Sequence, residues 1–228
     1  MTISRHRVHR SPRASFTLLE LMVVIGIIAA MLVAVVPAVN SLSKSGGRKA
    51  AIGSLLGAVE QARANAIKTG RASYIVFPAF TSASQATLDR YHYKAFAIFE
   101  DDPASTTTPR QLKQLTNWKP LNSGVSLRAK TGVAGSVTDL PVVSSLNAAI
   151  TFTVEPTATA TYHCIKYNGN GEVEAPAVPT TPVMLTAFEG YVSGTAEVIT
   201  SAKDAAGEPA ALESLKIAHL TGRAEISP

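Results

Sequence analysis

The sequence predicts an α+β fold in which a long N-terminal α-helix precedes a mainly antiparallel β-sheet head. An uncharged apolar run at 21–36 and an amphipathic pattern at 48–68 both indicate helix. After Gly70, short runs rich in β-branched and aromatic residues alternate with turn residues, which is typical of strands and hairpins. The 228 residues suffice for such a helix and one head domain.

Composition and charge narrow the class of protein. Hydrophobic residues make up 46% of the chain and charged residues 16%, which excludes a mainly disordered protein. The net charge of +5 comes from the N-terminal part, because residues 70–228 hold more acidic than basic side chains. Basic residues beside an apolar run indicate membrane topology, and the head gives no strong nucleic-acid signal. The single cysteine, Cys164, excludes an intrachain disulfide and a Cys-rich metal site.

The chain is predicted to consist of four segments. Residues 1–15 form a basic leader with four arginines and no acidic residue, and residues 16–39 form a transmembrane helix. Residues 40–69 continue the helix with one apolar face, and residues 70–228 form the β-rich head. The predicted apolar stripe consists of Ile52, Leu55, Leu56, Val59, Ala62, Ala66 and Ile67.

The segment before the apolar run carries a specific motif. A small residue, Ser15, is followed by Phe16, a threonine, two leucines and then Glu20, the only charged residue from 16 to 39. Pro37 follows near the end of the apolar stretch. Together with the basic leader, this pattern resembles the cleavage and methylation signature of type IV prepilins and type II secretion pseudopilins. The resemblance implies a pilin-like fold.

The resemblance also implies a maturation route and partners. Prepilin peptidase would cut between Ser15 and Phe16, and the new Phe16 amine would be N-methylated. The family usually has glycine where this chain has Ser15, which bears on how fast the cut proceeds. The implied partners are other pilin or pseudopilin subunits through the N-terminal helix, prepilin peptidase, an inner-membrane assembly platform and membrane lipid. The subunit would sit in the inner membrane by a single pass, with its head in the periplasm, or in a filament.

Two helix residues have expected roles in assembly. Glu20 can face the cationic Phe16 amine of a neighbouring subunit, and the low dielectric of a helix bundle strengthens such a pair. An unpaired Glu20 would penalise subunits in the wrong register. Pro37 removes one backbone hydrogen bond, so a kink is predicted there.

Alternative functions remain open at this level. Segments 61–70, 165–173 and 216–226 resemble the minor pseudopilin H and FimT-like subgroup, which favours a minor subunit. Three alternatives are considered: a secreted β-rich binding protein with an ordinary signal peptide, a DNA-uptake minor pilin, and a periplasmic enzyme on an uncleaved anchor. Glu20 and the absence of a small-residue signal-peptidase site argue against the first.

The head shows no pattern for catalysis, a metal or a cofactor, so we expect a structural subunit and not an enzyme. Cys164 and His163 are adjacent, point to opposite faces of a strand and form no dyad. The acidic run 100–102 and the stretch 190–194 are interpreted as a loop and a turn. The predicted strands are 72–77, 91–99, 125–128, 149–154, 161–167, 183–188, 197–200, 215–220 and 223–226, with hairpin turns at 168–171 and 221–222.

Overall fold

A computed structural model describes residues 17–80, 91–106, 111–143, 160–177, 181–194 and 196–227, with side chains inside the helix given at 17–32 and 46–69. The chain divides into two compact units, Met1–Ser43 and Lys44–Pro228. The predicted α+β class is confirmed, since an N-terminal helix is followed by antiparallel sheets.

Helix α1 runs from Leu18 to Thr69. It ends where the sequence predicts, because Gly70 adopts a φ of +64° and its N–H donates to the Ala66 carbonyl at 2.9 Å. Residues 16–39 were predicted as a transmembrane segment. In the part of the chain that the structure describes, no helix is both long enough and apolar enough to cross a membrane.

The head is built from antiparallel strands of two to eleven residues. Within the described residues they are β1 (Ser73–Phe80), β2 (Ala95–Asp101), β3 (Leu112–Gln114), β4 (Lys119–Pro120), β5 (Val125–Leu127), β6 (Ala160–Tyr167), β7 (Val173–Ala175), β8 (Val183–Ser193), β9 (Ala196–Ile199), β10 (Glu213–Ile217) and β11 (Ala224–Ser227). The first sheet has the order β3-β2-β1-β6-β7, and β4 also pairs with β2. The second sheet has the order β11-β10-β8-β5, and β9 also pairs with β8.

The second half of α1 packs on the head through one apolar face. The buried apolar residues of this half of the helix are Ala51, Ile52, Leu55, Ala58, Val59, Ala62 and Ala66. They share one core with side chains of both sheets, including Phe77, Ile165, Leu185 and Leu215. The predicted stripe is confirmed except at Ile67, which is 48% exposed. Ile67 lies at the edge of the stripe, where its side chain is next to the β6–β7 turn at Gly171.

The first sheet is apolar on both faces. Alternate residues of β1 belong to different clusters: Ile75 and Phe77 join the main core, whereas Val76 joins a second cluster with Phe99 and Cys164. A strand with successive side chains on opposite faces is buried throughout only if both faces are covered. The second cluster therefore covers the face that α1 does not.

Several predicted boundaries differ from the observed ones. Glu100 and Asp101 lie in β2 and not in a loop, because Asn65 of the helix donates to Glu100 at 3.2 Å and the Tyr74 hydroxyl donates to Asp101 at 2.9 Å. The residues 190–193 belong to β8 and not to a turn. Gly190 is required there, since a Cβ would lie 2.2 Å from the Val198 carbonyl oxygen of β9.

Other predictions were incomplete or fall elsewhere. Strands β3, β4 and β7 were not predicted, because two or three residues show no alternation to recognise. The strand predicted at 149–154 lies outside the described residues. Both predicted hairpin turns are confirmed, the first between β6 and β7 and the second between β10 and β11.

Candidate functional site

The start of α1 is a capping box formed by Thr17 and Glu20. The Glu20 N–H donates to the Thr17 hydroxyl oxygen at 3.2 Å. In return, the Thr17 N–H and hydroxyl both lie 3.5 Å from Oε2 of Glu20. Such reciprocal bonds satisfy two N–H groups that a helix start otherwise leaves without partners. Glu20 therefore has a role within its own chain, at the end of the helix where the dipole favours an anion.

The helix that follows exposes apolar side chains on every side. No side chain from Leu18 to Leu32 is buried. The large exposed residues are Leu18, Leu19, Leu21, Met22, Val23, Val24, Ile25, Ile27, Ile28, Met31 and Leu32, with exposed fractions of 46–76%. A helix that is apolar all round is normally covered by lipid or by other helices. This segment therefore has the chemistry of an assembly or anchoring surface.

The residues predicted for maturation and kinking fall at the limits of the described chain. Ser15 and Phe16 lie outside the described residues. Pro37 lies inside α1, in the range without described side chains, so its kink stays a prediction. The capping role of Thr17 was missed, although Thr-x-x-Glu before an apolar run is the known sequence signature of a capping box.

Two polar contacts fasten the packed half of α1 to the second sheet. At one end, the Arg48 guanidinium forms an ion pair with Glu189 of β8, and both side chains are at least nine-tenths buried. At the other end, Arg63 Nε donates to the Thr221 carbonyl at 2.7 Å, in the β10–β11 turn. The helix is thus attached to the second sheet at both ends of its packed segment.

The histidines and the cysteine of the head serve as packing and bridging groups. His163 Nδ1 lies 3.1 Å from the Leu140 carbonyl oxygen, and burial lowers the pKa of its imidazole. Cys164 faces the second cluster, and burial raises the pKa of its thiol to about 12. The predicted buried position of Cys164 is confirmed. His92 links the sheets, since the Phe80 N–H donates to its Nδ1 at 2.9 Å and its Nε2 lies 2.9 Å from the Gly194 carbonyl oxygen.

A polar cluster holds β9 and the loop after it against residues 128–130, which follow β5. The Arg128 guanidinium contacts both Glu197 and Glu208, and Lys130 also pairs with Glu208. The pKa of Glu208 is lowered by its hydrogen bonds to Lys130 and Arg128. Among the described residues, no three His, Cys, Asp or Glu side chains lie close enough together to hold a metal ion. The charges of this cluster are thus used for internal contacts.

These features define a chain with a β-rich head and a helix whose capped, apolar first part is exposed. Residues 10–36 match the family model described as the prokaryotic N-terminal methylation motif. This motif is a type IV pilin-like signal and supports a prepilin of the membrane-anchored, pilin type. The match covers the residues just before α1 and the first part of that helix, and it leaves the pseudopilin H or FimT-like subgroup unconfirmed. No curated protein and no solved structure matches the chain.

Proposed function

We propose that this protein is a structural subunit, a minor pilin or pseudopilin, that assembles through α1 into a type IV pilus or a type II secretion pseudopilus. One observation supports this proposal most directly. The methylation motif at 10–36 overlaps the part of α1 whose apolar side chains are exposed on all sides. A signal that is processed before the helix keeps this apolar segment on the mature chain, where it can pack against other helices.

The proposed maturation begins at the motif. Prepilin peptidase cleaves between Ser15 and Phe16, and the Phe16 amine is methylated. The apolar run at 21–36 holds the subunit in the inner membrane before assembly, with the head in the periplasm. An assembly platform in that membrane then transfers the subunit into the filament. The head projects from the filament or lies at its tip, and its work is mechanical or adhesive and not enzymatic.

Glu20 supports a second step of the proposal, the selection of register. Its carboxylate lies at the start of α1, four positions along the sequence from Phe16, the proposed mature N-terminus. In a bundle of apolar helices, the favourable partner of this anion is the cationic amine of a neighbouring Phe16. A subunit in another register would leave Glu20 without a counter-charge in a medium of low dielectric, which is strongly unfavourable.

The direct test is the mass of the mature N-terminus, measured on the protein purified from its native host or co-expressed with prepilin peptidase. We expect a chain that begins at a methylated Phe16. A chain that begins near residue 40 would indicate a secreted protein, and an intact leader would indicate an uncleaved anchor; either would overturn the proposal. Ser15→Gly serves as a matched variant, which should be cut at the same bond and at least as fast.

A further inference from the structure

Within the part of the chain that the structure describes, strand β11 leaves one edge of the second sheet open. Among the described strands it pairs only with β10. At the preceding turn, the Gly222 N–H donates to the Ala218 carbonyl at 2.8 Å, and the Ala218 N–H donates to the Arg223 carbonyl at 2.9 Å. This β-bulge makes the next pair, Ile217 and Ala224, a non-hydrogen-bonded one. The N–H and C=O of Ala224 therefore point away from β10, toward the open edge.

The side chains of β11 carry opposite charges on its solvent side. Arg223 and Glu225 are exposed. Glu225 lies opposite Lys216 of β10, but among the described residues neither Glu225 nor Arg223 takes part in an ion pair. Ala224, between them, packs toward the main core. Ile226 is 49% exposed and Leu220, in the adjoining turn, is 76% exposed. An edge with free backbone groups, unpaired charges and exposed apolar side chains has the features of a strand-pairing surface.

We propose that two copies of this chain pair through β11 in an antiparallel, two-fold arrangement centred on Ala224. In that register the outward N–H and C=O of Ala224 in each copy bond to those of the other copy. Arg223 of each copy then lies directly opposite Glu225 of the second copy. Directly opposed side chains in a non-hydrogen-bonded pair approach most closely, so both opposite-charge pairs are favourable.

Charge selects this register over its neighbours. A slip that places Ala224 opposite Ile226 keeps the backbone bonds possible but puts Glu225 opposite Glu225 of the second copy. A two-fold axis at Ile226 puts Glu225 opposite Ser227, so Glu225 has no opposite charge facing it. Like charges directly opposed across strands are unfavourable, and charged residues without partners add nothing. The Ala224-centred register alone brings both charges of each copy together.

The geometry also fixes the kind of assembly. A two-fold contact uses the same patch on both copies and closes on itself, so it produces a dimer of heads and no filament growth. The contact needs only strand β11 and its turn. It is therefore independent of the proposed assembly through α1, and a failure of either proposal leaves the other standing.

The test measures self-association of the full chain in detergent, by light scattering over a range of protein concentrations. Arg223→Glu and Glu225→Arg should each weaken the dimer about tenfold, because each turns two attractive pairs into repulsive ones. The double variant Arg223→Glu/Glu225→Arg restores both pairs and should dimerise like the parent chain. Lys119→Glu, on an exposed edge of the first sheet, is the matched charge-reversal control and should change nothing.

A backbone variant separates pairing from general charge effects. Ala224→Pro removes only the outward N–H of β11, and proline is tolerated on edge strands, so the head should fold while dimerisation is lost. Circular dichroism checks the fold. The proposal is overturned if the mass measured by light scattering is the same for the parent chain and for all of these variants. It is also overturned if the double variant dimerises as weakly as the single variants.

Discussion

Replacing Glu20 by glutamine separates its two roles, since the amide retains the capping box and removes the charge. The amide oxygen still accepts the hydrogen bonds of Thr17 seen at 3.5 Å, so the helix start persists. The change forgoes the interaction of an anion with the helix dipole, typically about 0.3–1 kcal/mol. Removing one partner of a buried ion pair costs much more free energy than this dipole interaction, about 3–5 kcal/mol.

These magnitudes predict different results for three variants. Glu20→Gln should enter filaments at least tenfold less than the parent chain, because each 1.4 kcal/mol is roughly a factor of ten. Glu20→Ala should lose the box as well and enter no better. Thr17→Ala keeps the Glu20 charge and loses the N-cap, which costs about 1 kcal/mol of helix stability. Its incorporation should therefore fall less than that of Glu20→Gln.

The assay compares subunit amounts in sheared filaments and in the membrane fraction, in a host that also carries the unmodified subunits. Membrane levels of the three variants serve as the control for folding and insertion. Normal incorporation of Glu20→Gln together with poor incorporation of Thr17→Ala would refute the register hypothesis. In that case the capping box, and not the charge, would be the feature that assembly requires.

Three further predictions concern the head. Gly222→Ala should destabilise it severely, since a Cβ would lie 2.0 Å from a backbone carbonyl oxygen, whereas Gly207→Ala, with nothing within 4 Å, should lose only the roughly 1–2 kcal/mol of a left-handed residue; equal urea midpoints would contradict this. Glu189→Ala should lower the free energy of unfolding by about 3–5 kcal/mol, because it leaves the buried Arg48 charge without its partner. A loss below about 1 kcal/mol, typical of exposed pairs, would contradict it. Cys164 should react with iodoacetamide at mildly alkaline pH many times more slowly in the folded chain than in urea, because burial raises its pKa to about 12. Equal rates would show that the thiol is accessible.

Features with a local cause were predictable from the sequence. The helix end at Gly70 and the turn at 168–171 follow from residues that tolerate positive φ or form turns by themselves. The capping box is equally local, because Thr17 and Glu20 form a Thr-x-x-Glu pattern directly before an apolar run. The apolar face of the helix followed from its spacing and failed only at its margin, at Ile67.

Features with a distant cause were not predictable. Glu100 is buried inside the sheet, where its carboxylate accepts a hydrogen bond from the side-chain amide of Asn65 in the helix. Asn65 lies far from Glu100 in the sequence. The Arg48–Glu189 pair joins residues 141 positions apart, and nothing near either residue indicates the other. Likewise, the sequence does not show that β11 can pair with another strand, because the outward direction of the Ala224 N–H and C=O follows from the bulge at Gly222.

The apolar character of both faces of the first sheet has a consequence for how β1 finds its place. In a sheet with one solvent-exposed face, a shift of the strand register by one residue moves the apolar side chains to that face. Such a shift is strongly unfavourable, so burial alone specifies the register. Here the same slip would exchange one apolar set for another. Polar contacts at the two ends of the strand then act as stops: the Ser73 hydroxyl donates to the Phe99 carbonyl at 3.1 Å, and the Phe80 N–H reaches His92. The register of β1 is thus fixed by polar contacts at its two ends and not by burial of its side chains.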